Sequence, residues 1–366
     1  MTKIEWTGKT WNPIVGCSIV SPGCTNCYAM KMAARLEAMG DAAVKACKAV
    51  PAAHYAGTTK WVNGKPGWTG KVALAPDDIL TKPLRTRKPT TWFVNSMGDL
   101  FHEDVPDEWI DRVFAVMAIC PQHTFQVLTK RSKRMREYCA SATTPDRVVD
   151  ALMLLMAQPR AFRRTTGQNA HWWPILNVWL GVSAEDQRRA NERIPDLLET
   201  PAAVRFVSAE PLLGSIDFTR RVAHPAGDRL SSRTWMKDVN WIIVGGESGP
   251  GARPMHPDWA RTIRDQCQAA GVPYFFKQWG NWLPMGPEDE WGREWMLLDP
   301  SGVIDVPDYR CPDFEMGEYP VVNVGKARAG RLLDGREWNE MPGASSYDQS
   351  PTDPHHGGKI WTEVAP

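Results

Sequence analysis

Three cysteines stand within eleven residues in Cys17-Ser-Ile-Val-Ser-Pro-Gly-Cys24-Thr-Asn-Cys27-Tyr28. The spacing is C-x6-C-x2-C, and the whole chain holds only eight cysteines. Ser21, Pro22 and Gly23 in the spacer favour a turn over a helix or strand. A tight loop that aims three thiolates at one point is a metal or cluster site. The missing fourth cysteine narrows the chemistry. Structural zinc takes four closed ligands, and iron–sulfur electron carriers as a rule take four cysteines. Three thiolates on a four-iron cluster leave one iron open to a further ligand. Structural zinc with a fourth ligand other than cysteine is the competing reading, and unpaired thiols the plain one.

A rhythm of short apolar runs must position that loop. Thr91-Trp-Phe-Val94 leads into Asn95-Ser-Met-Gly-Asp99, and Phe125–Leu128 into Thr129-Lys130-Arg131. Val178–Val182 leads into Ser183-Ala-Glu185, and Val204–Val207 into Ser208-Ala-Glu210. Trp241–Val244 leads into Gly245-Gly-Glu247, and Tyr274–Phe276 into Lys277-Gln278. Helical patterns separate several of them, notably 107–119, 185–198 and 257–270. This alternation predicts an α/β fold with a mainly parallel sheet. A further strand near 12–15, ahead of the cysteines, makes seven. That number suits a full or partial (β/α) barrel, whose polar strand ends share one rim. A doubly wound open sheet is the alternative, and it calls for a nucleotide fingerprint. The glycine-rich run Gly245–Gly251 lacks both G-x-G-x-x-G and the P-loop lysine–hydroxyl pair. The barrel-like domain is expected over 1–283, with insertions near 41–70, 141–175 and 216–239. Residues 284–366 read as an irregular C-terminal extension.

The cysteine loop, the opening Thr2-Lys-Ile-Glu-Trp-Thr, Trp11-Asn-Pro-Ile-Val-Gly-Cys17 and the later Gly330-Arg-Leu-Leu-Asp-Gly-Arg-Glu-Trp338 carry a resemblance. Together they resemble a family of phage and prophage proteins of uncertain function, itself similar to atypical radical SAM proteins. Most radical SAM proteins use C-x3-C-x2-C with an aromatic just before the last cysteine. Here the first spacer is longer, Asn26 holds that place and Tyr28 follows. The resemblance implies a [4Fe–4S] cluster on Cys17, Cys24 and Cys27, with S-adenosylmethionine (SAM) chelated by the open iron. It implies cleavage of SAM to methionine and a 5′-deoxyadenosyl radical, and therefore an electron donor as partner. Asn95, Ser96 and Asp99 stand where such proteins hold the SAM amino group. Lys130 or Arg131 would meet its carboxylate, the first as a point charge and the second as a fork. Ser183 and Glu185 would reach the ribose. Glu210, Glu247 and Lys277 would face substrate or adenosine, with Gln278 closing the ring.

Each residue also has a plainer role. Acidic residues after strands often cap the next helix, and Lys130 can be solvated or pair with Glu247. His102 and His171 read as loop and packing residues, and His54, His224 and His256 stand isolated. The formal net charge of +1 gives no global basic field. A nucleic-acid or nucleotide partner would need a local patch, such as Arg160, Arg163 and Arg164 with Trp172 and Trp173. A second group is Arg220, Arg221, Arg229 and Arg233, and solvated surface is the common alternative for both. No apolar run reaches the roughly 18 residues of a membrane span, and the N-terminus shows no signal pattern. A cytoplasmic protein is the expectation. Cys47, Cys120, Cys139, Cys267 and Cys311 are scattered, as buried thiols in a reducing compartment are. Two other functions compete with the enzyme reading: a non-catalytic zinc-stabilised protein that binds nucleic acid or protein, and a barrel hydrolase using its acidic rim.

Overall fold

Seven runs rich in β-branched and aromatic residues pair into one parallel sheet. They are β1 (Lys9–Trp11), β2 (Thr91–Val94), β3 (Thr124–Thr129), β4 (Val178–Ser183), β5 (Val204–Ala209), β6 (Trp241–Gly245) and β7 (Tyr274–Gln278). They lie side by side in chain order, every ladder parallel. The order never reverses, which excludes the doubly wound alternative. This computed structural model describes residues 4–45, 52–156, 172–223, 230–285, 295–302, 304–305 and 317–343.

Alternation along the strands sorts the core into two. Trp92, Val94, Phe125, Val127, Leu180, Val182, Ile242 and Val244 point outward under the helices. α1 (Tyr28–Lys45) packs apart from them, against Tyr55 and Trp68, and the covering helices include α2 (Asp107–Ala118), α3 (Ser132–Ala140), α4 (Thr144–Leu155), α5 (Gln187–Glu199) and α6 (Pro257–Ala270). Asp186 caps α5 by accepting from Arg189 N at 2.8 Å, and His256 caps α6 by accepting from Asp258 N at 3.2 Å. Capping is thus what occupies His256.

Phe93, Trp179, Phe206, Trp241, Ile243 and Phe275 point inward and form a separate cluster with Trp6. The Trp6 ring lies 4.7 Å from Phe93 of β2 and 6.1 Å from Trp241 of β6. In a flat sheet those strands would be about 19 Å apart, four spacings of about 4.8 Å. One indole can touch both only because the sheet curls around it. Gly181 on β4 makes room on the concave face, since a Cβ there would lie 2.6 Å from the Phe206 ring. Among the described residues β1 and β7 share no ladder, so the sheet is a half-barrel rather than a closed one.

Two expectations need correction. The first sheet strand is Lys9–Trp11, earlier than the 12–15 region, where Ile14–Val15 instead pairs antiparallel with Ala73–Leu74. The C-terminal region is not wholly irregular. β8 (Trp282–Pro284), β9 (Trp295–Leu298), β10 (Ile304–Asp305) and β11 (Tyr319–Asn323) form an antiparallel sheet in the order β8-β11-β9-β10. Strands of two to five residues carry too little alternation to be seen in sequence. Beyond them the chain returns to the outer edge of β7, where Phe276 N donates to Trp338 O at 2.9 Å. In the 41–70 insertion Thr59–Val62 and Lys65–Trp68 form a hairpin closed by Asn63 and Gly64, with φ of 49° and 72°. In the 216–239 insertion Arg221–Ala223 pairs with Leu230–Thr234. No helix among the described residues is long and apolar enough to cross a membrane.

Candidate functional site

The inward rows change character along the strands. Two residues beyond Phe93, Leu128, Gly181 and Phe275 stand Asn95, Lys130, Ser183 and Lys277, and beyond Phe206 stand Ser208 and Glu210. Aromatic side chains therefore fill the N-terminal end of the concave face and polar ones its C-terminal mouth. A cavity of about 270 Å³ opens there. Cys17, Cys24 and Cys27 line it, and so does every other residue predicted for the site except Glu185.

The cysteines are free thiols. Burial pushes the Cys17 thiol up to about 12, Asp99 adding to the rise and Arg131 opposing it. Burial also raises Cys27. A metal must therefore displace protons to bind. Among the described residues no three His, Cys, Asp or Glu side chains gather tightly enough for one metal ion. The loop brings the cysteines to one cavity, and not into a single ion's coordination sphere. Three soft thiolate donors on an open cavity are a donor set that suits zinc or an iron–sulfur cluster.

Much of the acidic rim holds the cysteine loop in place. Asp99 accepts from Phe101 N at 3.0 Å, Thr129 Oγ1 at 2.6 Å, Lys130 N at 3.1 Å and Arg131 Nη1 at 3.2 Å. Arg131 in turn donates to Cys17 Sγ at 3.3 Å and to Ser18 Oγ at 2.6 Å. His102, also read as a loop residue, is buried against Ser18 Oγ at 2.9 Å. Burial opposes the charge on Arg131, but Asp99, Cys17 and Glu103 outweigh it and keep the guanidinium protonated.

A second support lies behind the loop. Glu185 is fully buried and accepts from Gly23 N at 3.1 Å and Arg193 Nη1 at 3.0 Å. Burial disfavours its charge, yet Lys130 and Arg193 hold the carboxyl below its ordinary range. The ribose role expected for Glu185 does not suit this position. A third support comes from Glu247, whose Oε2 accepts from Asn26 Nδ2 at 3.0 Å and from Arg253 N and Nε at 2.9 Å. Its Oε1 accepts from Arg253 Nη2 at 2.7 Å, and the same Nη2 donates to Pro22 O at 2.9 Å. Burial again opposes ionisation, and Arg253 and Asn26 outweigh it, so the carboxyl titrates low. Glu247 pairs with Arg253, not with Lys130, and its oxygens are taken. In the glycine-rich turn it belongs to, Gly249 and Gly251 have φ of 98° and 77°.

Other predicted residues remain turned to the cavity. Lys130 Nζ donates to Ser183 Oγ at 2.5 Å. Lys277 Nζ lies 2.9 Å from Glu210 Oε1. Gly245 leaves space for that carboxylate, since a Cβ there would sit 2.6 Å from Glu210 Oε1. Ser96 Oγ donates to Asn12 Oδ1 at 3.0 Å, and its carbonyl accepts from Tyr28 OH at 2.9 Å. Sequence reasoning missed Arg253, Arg193, Ser18 and Asn12. Asn26, in the place of the usual aromatic, was the one visible hint of a different support.

Of the first nucleic-acid patch only Trp172 and Trp173 lie among the described residues. Trp173 donates to Cys139 O at 3.0 Å and its ring lies 5.4 Å from Phe114, so it packs under the helices. Arg160, Arg163, Arg164, His171, His224, Arg229, Cys47 and Cys311 lie outside the described residues. Arg220 donates to Asn191 Oδ1 at 3.0 Å. Cys120, Cys139 and Cys267 are buried, as expected.

Fold and site define a mixed α/β protein with a cysteine-lined cavity at the mouth of a parallel half-barrel. Over residues 1–342 the chain matches the family described as Protein of unknown function (DUF5131), and it belongs to that family. No curated protein and no solved structure matches it.

Proposed function

We propose that the protein is a radical SAM-type enzyme with a [4Fe–4S] cluster on Cys17, Cys24 and Cys27. The observation that carries this reading is the sharing of one cavity by the three cysteines and the polar ends of the half-barrel strands. When bound, such a cluster passes one electron from an external donor to the sulfonium of SAM, which parts into methionine and a 5′-deoxyadenosyl radical.

The chain's own residues narrow the earlier roles. Lys130 is the cation for the SAM carboxylate. Ser183 orients its ammonium, and two N–H groups remain to donate. Arg131 drops out, because its donors go to Asp99, Cys17, Ser18 and Glu103. Asp99 drops out as partner of the SAM amino group because both its oxygens are occupied, and Asn95 because its Oδ1 accepts from Ile14 N, leaving Ser96 from that strand end. Glu185 and Glu247 serve as positioning residues for the loop. Glu210 and Lys277 neutralise each other at the cavity wall and face the substrate.

The test is anaerobic reconstitution followed by iron and sulfide counting, then incubation with reductant and SAM. About four irons per chain and release of 5′-deoxyadenosine are expected. A colourless protein holding one zinc would turn the reading to the zinc-stabilised binding protein. Lys130→Ala should weaken SAM binding by about tenfold to a hundredfold, the loss of one charge-assisted hydrogen bond, and leave the cluster count unchanged. Equal SAM affinity in the variant would move the carboxylate partner elsewhere.

A further inference from the structure

Formal charge is unevenly placed along this chain. Residues 42–98 hold nine Lys and Arg and only two acids, Asp77 and Asp78, whereas the whole chain balances to +1. Asp77 pairs with Arg112 at 2.7 Å. Lys60, Lys65, Lys82, Arg87 and Lys88 are exposed, and none meets a carboxylate among the described residues. A groove of about 510 Å³ joins the two stretches that carry them, lined by His54 and Tyr55 of the 41–70 insertion and by Ile79, Lys82 and Arg85. Lys9 of β1 adds a further cation, its Nζ 5.5 Å from the Trp92 ring, with Lys82 Nζ 5.9 Å from the same ring. Unneutralised like charges repel one another and weaken the compact state. A polyanion removes that repulsion as it binds, and its own counterions are released.

The hairpin of Thr59–Val62 and Lys65–Trp68 narrows the partner. Glu37 of α1 anchors its root, accepting from Gly57 N at 2.6 Å and from Thr59 Oγ1 at 2.5 Å. Trp68 is buried there in a cluster with Met30 and Ala33 of α1. Beyond that root Trp61 stands 72% exposed. Trp61 pairs across the ribbon with Pro66, Lys60 with Gly67 and Val62 with Lys65. Trp61 therefore projects from one face and both lysines from the other. The ribbon is only two strands wide, about 4.8 Å between backbones, so a chain lying along its edge reaches both faces. Lysines as point charges take the phosphates of any nucleic acid. An indole takes a base only where that base is free of a duplex stack. We infer that this flank binds a single-stranded nucleic acid, with phosphates on Lys60, Lys65, Lys82, Arg87 and Lys88 and a base on Trp61. Trp68, at the inner end of the hairpin, also lines the cysteine-bearing cavity, so the surface begins at that cavity's edge. It needs no cluster and stands apart from the enzyme reading.

Binding is read on the full chain by fluorescence anisotropy with a labelled single strand of about 20 nucleotides, longer than one site of about 4–16. The parent should bind it, and log K should fall against log salt with a slope of about −3, roughly −0.7 per phosphate contact. Lys60→Glu with Lys65→Glu, and separately Arg87→Glu with Lys88→Glu, should each weaken binding by about tenfold or more at low salt and make the slope shallower by about 1.4. Trp61→Ala should weaken binding about fivefold to a hundredfold and leave the slope unchanged, as the loss of one stacked base does. All five side chains are exposed, so unchanged melting curves are expected throughout. Lys133→Glu with Arg188→Glu makes the same change of charge on exposed residues of α3 and α5. An equal loss in that control overturns the inference, and so does an absence of binding at the lowest salt. It is also overturned by a duplex that binds more tightly than the strand, or by displacement with polyglutamate of equal charge. Binding to phosphatidylserine vesicles without binding to the strand would make the flank a membrane surface and overturn it too. Strand binding by a protein that takes up no iron defeats the enzyme reading and leaves this surface standing, and SAM cleavage by a protein that binds no strand does the reverse.

Discussion

The cysteine loop and the inner wall of the cavity are opposite solutions to burying polar groups. Around the loop every buried carboxylate is saturated: Asp99 by two backbone amides, Thr129 and Arg131, Glu247 by Asn26 and Arg253, and Glu185 by Gly23 and Arg193. Across the cavity Asn95, Trp6 and Gln278 each leave a buried atom unpaired. Full pairing rigidifies a loop against the low dielectric that surrounds it. On the wall each missing pair is a desolvation cost that nothing in the fold offsets. Charge around the loop is thus used for support.

The largest expected effect is all-or-none. Cys17→Ala, Cys24→Ala and Cys27→Ala should each abolish cluster binding, while Cys267→Ala, on the buried face of α6, should retain it. Iron and sulfide counts after anaerobic reconstitution decide this, and equal retention in all four would remove the cluster from the loop. Next comes the support itself. Arg131→Leu leaves Asp99 buried without its ion-pair partner, the two side chains being 5% and 7% exposed. Breaking such a pair from one side costs about 3–5 kcal/mol. Urea denaturation of parent and variant should show that difference, and a change under about 1 kcal/mol would mean that the cluster loop does not depend on this support.

A weaker third effect depends on pH. The Glu247 carboxyl titrates below its ordinary range in the folded chain because Arg253 and Asn26 outweigh its burial. Its contribution to stability is therefore complete above the unfolded carboxylate value of about 4.3 and disappears as pH falls through the lower folded value. Glu247→Gln should cost about 1–2 kcal/mol at neutral pH. The two denaturation curves should converge as the solution is made acid through and below that unfolded value. A gap that stays constant down to acid pH would show that Glu247 is not the titrating support.

Much of the fold was legible because strands of a parallel sheet are covered on both faces and read as apolar runs. Six of the seven runs, from Thr91–Val94 to Tyr274–Phe276, fall on observed strands. The rim was legible for the same reason: where an apolar run ends, the polar residues that follow must be at the strand's C-terminal end. Partners were not. Asn26 meets Glu247 across 221 residues of chain and Gly23 meets Glu185 across 162, and neither pairing has a local signature. A carboxylate that clamps a loop and one that faces a substrate look alike when only the preceding strand is known. Trp6 escaped notice as well, since its place in the half-barrel comes from the curl of the whole sheet rather than from its neighbours in sequence.

The smallest expected effect tests the unpaired wall. If Gln278 were part of the support, replacing it would strand Gly246 O and cost energy on the scale seen for the loop. Its Oε1 has no partner, however, and its one donated bond is long, at 3.4 Å. Removing a buried acceptor that is already unsatisfied returns its desolvation cost, while losing a weak bond to Gly246 O takes a similar amount away. Methionine fills nearly the same volume with a flexible unbranched chain, so packing changes little. Gln278→Met should therefore alter stability by less than about 1 kcal/mol in either direction, measured by denaturation beside Arg131→Leu under the same conditions. A loss approaching that of Arg131→Leu would make the wall structural and erase the contrast. Near-neutral stability would show that the fold does not depend on Gln278 and that its unpaired acceptor is a cost the fold carries.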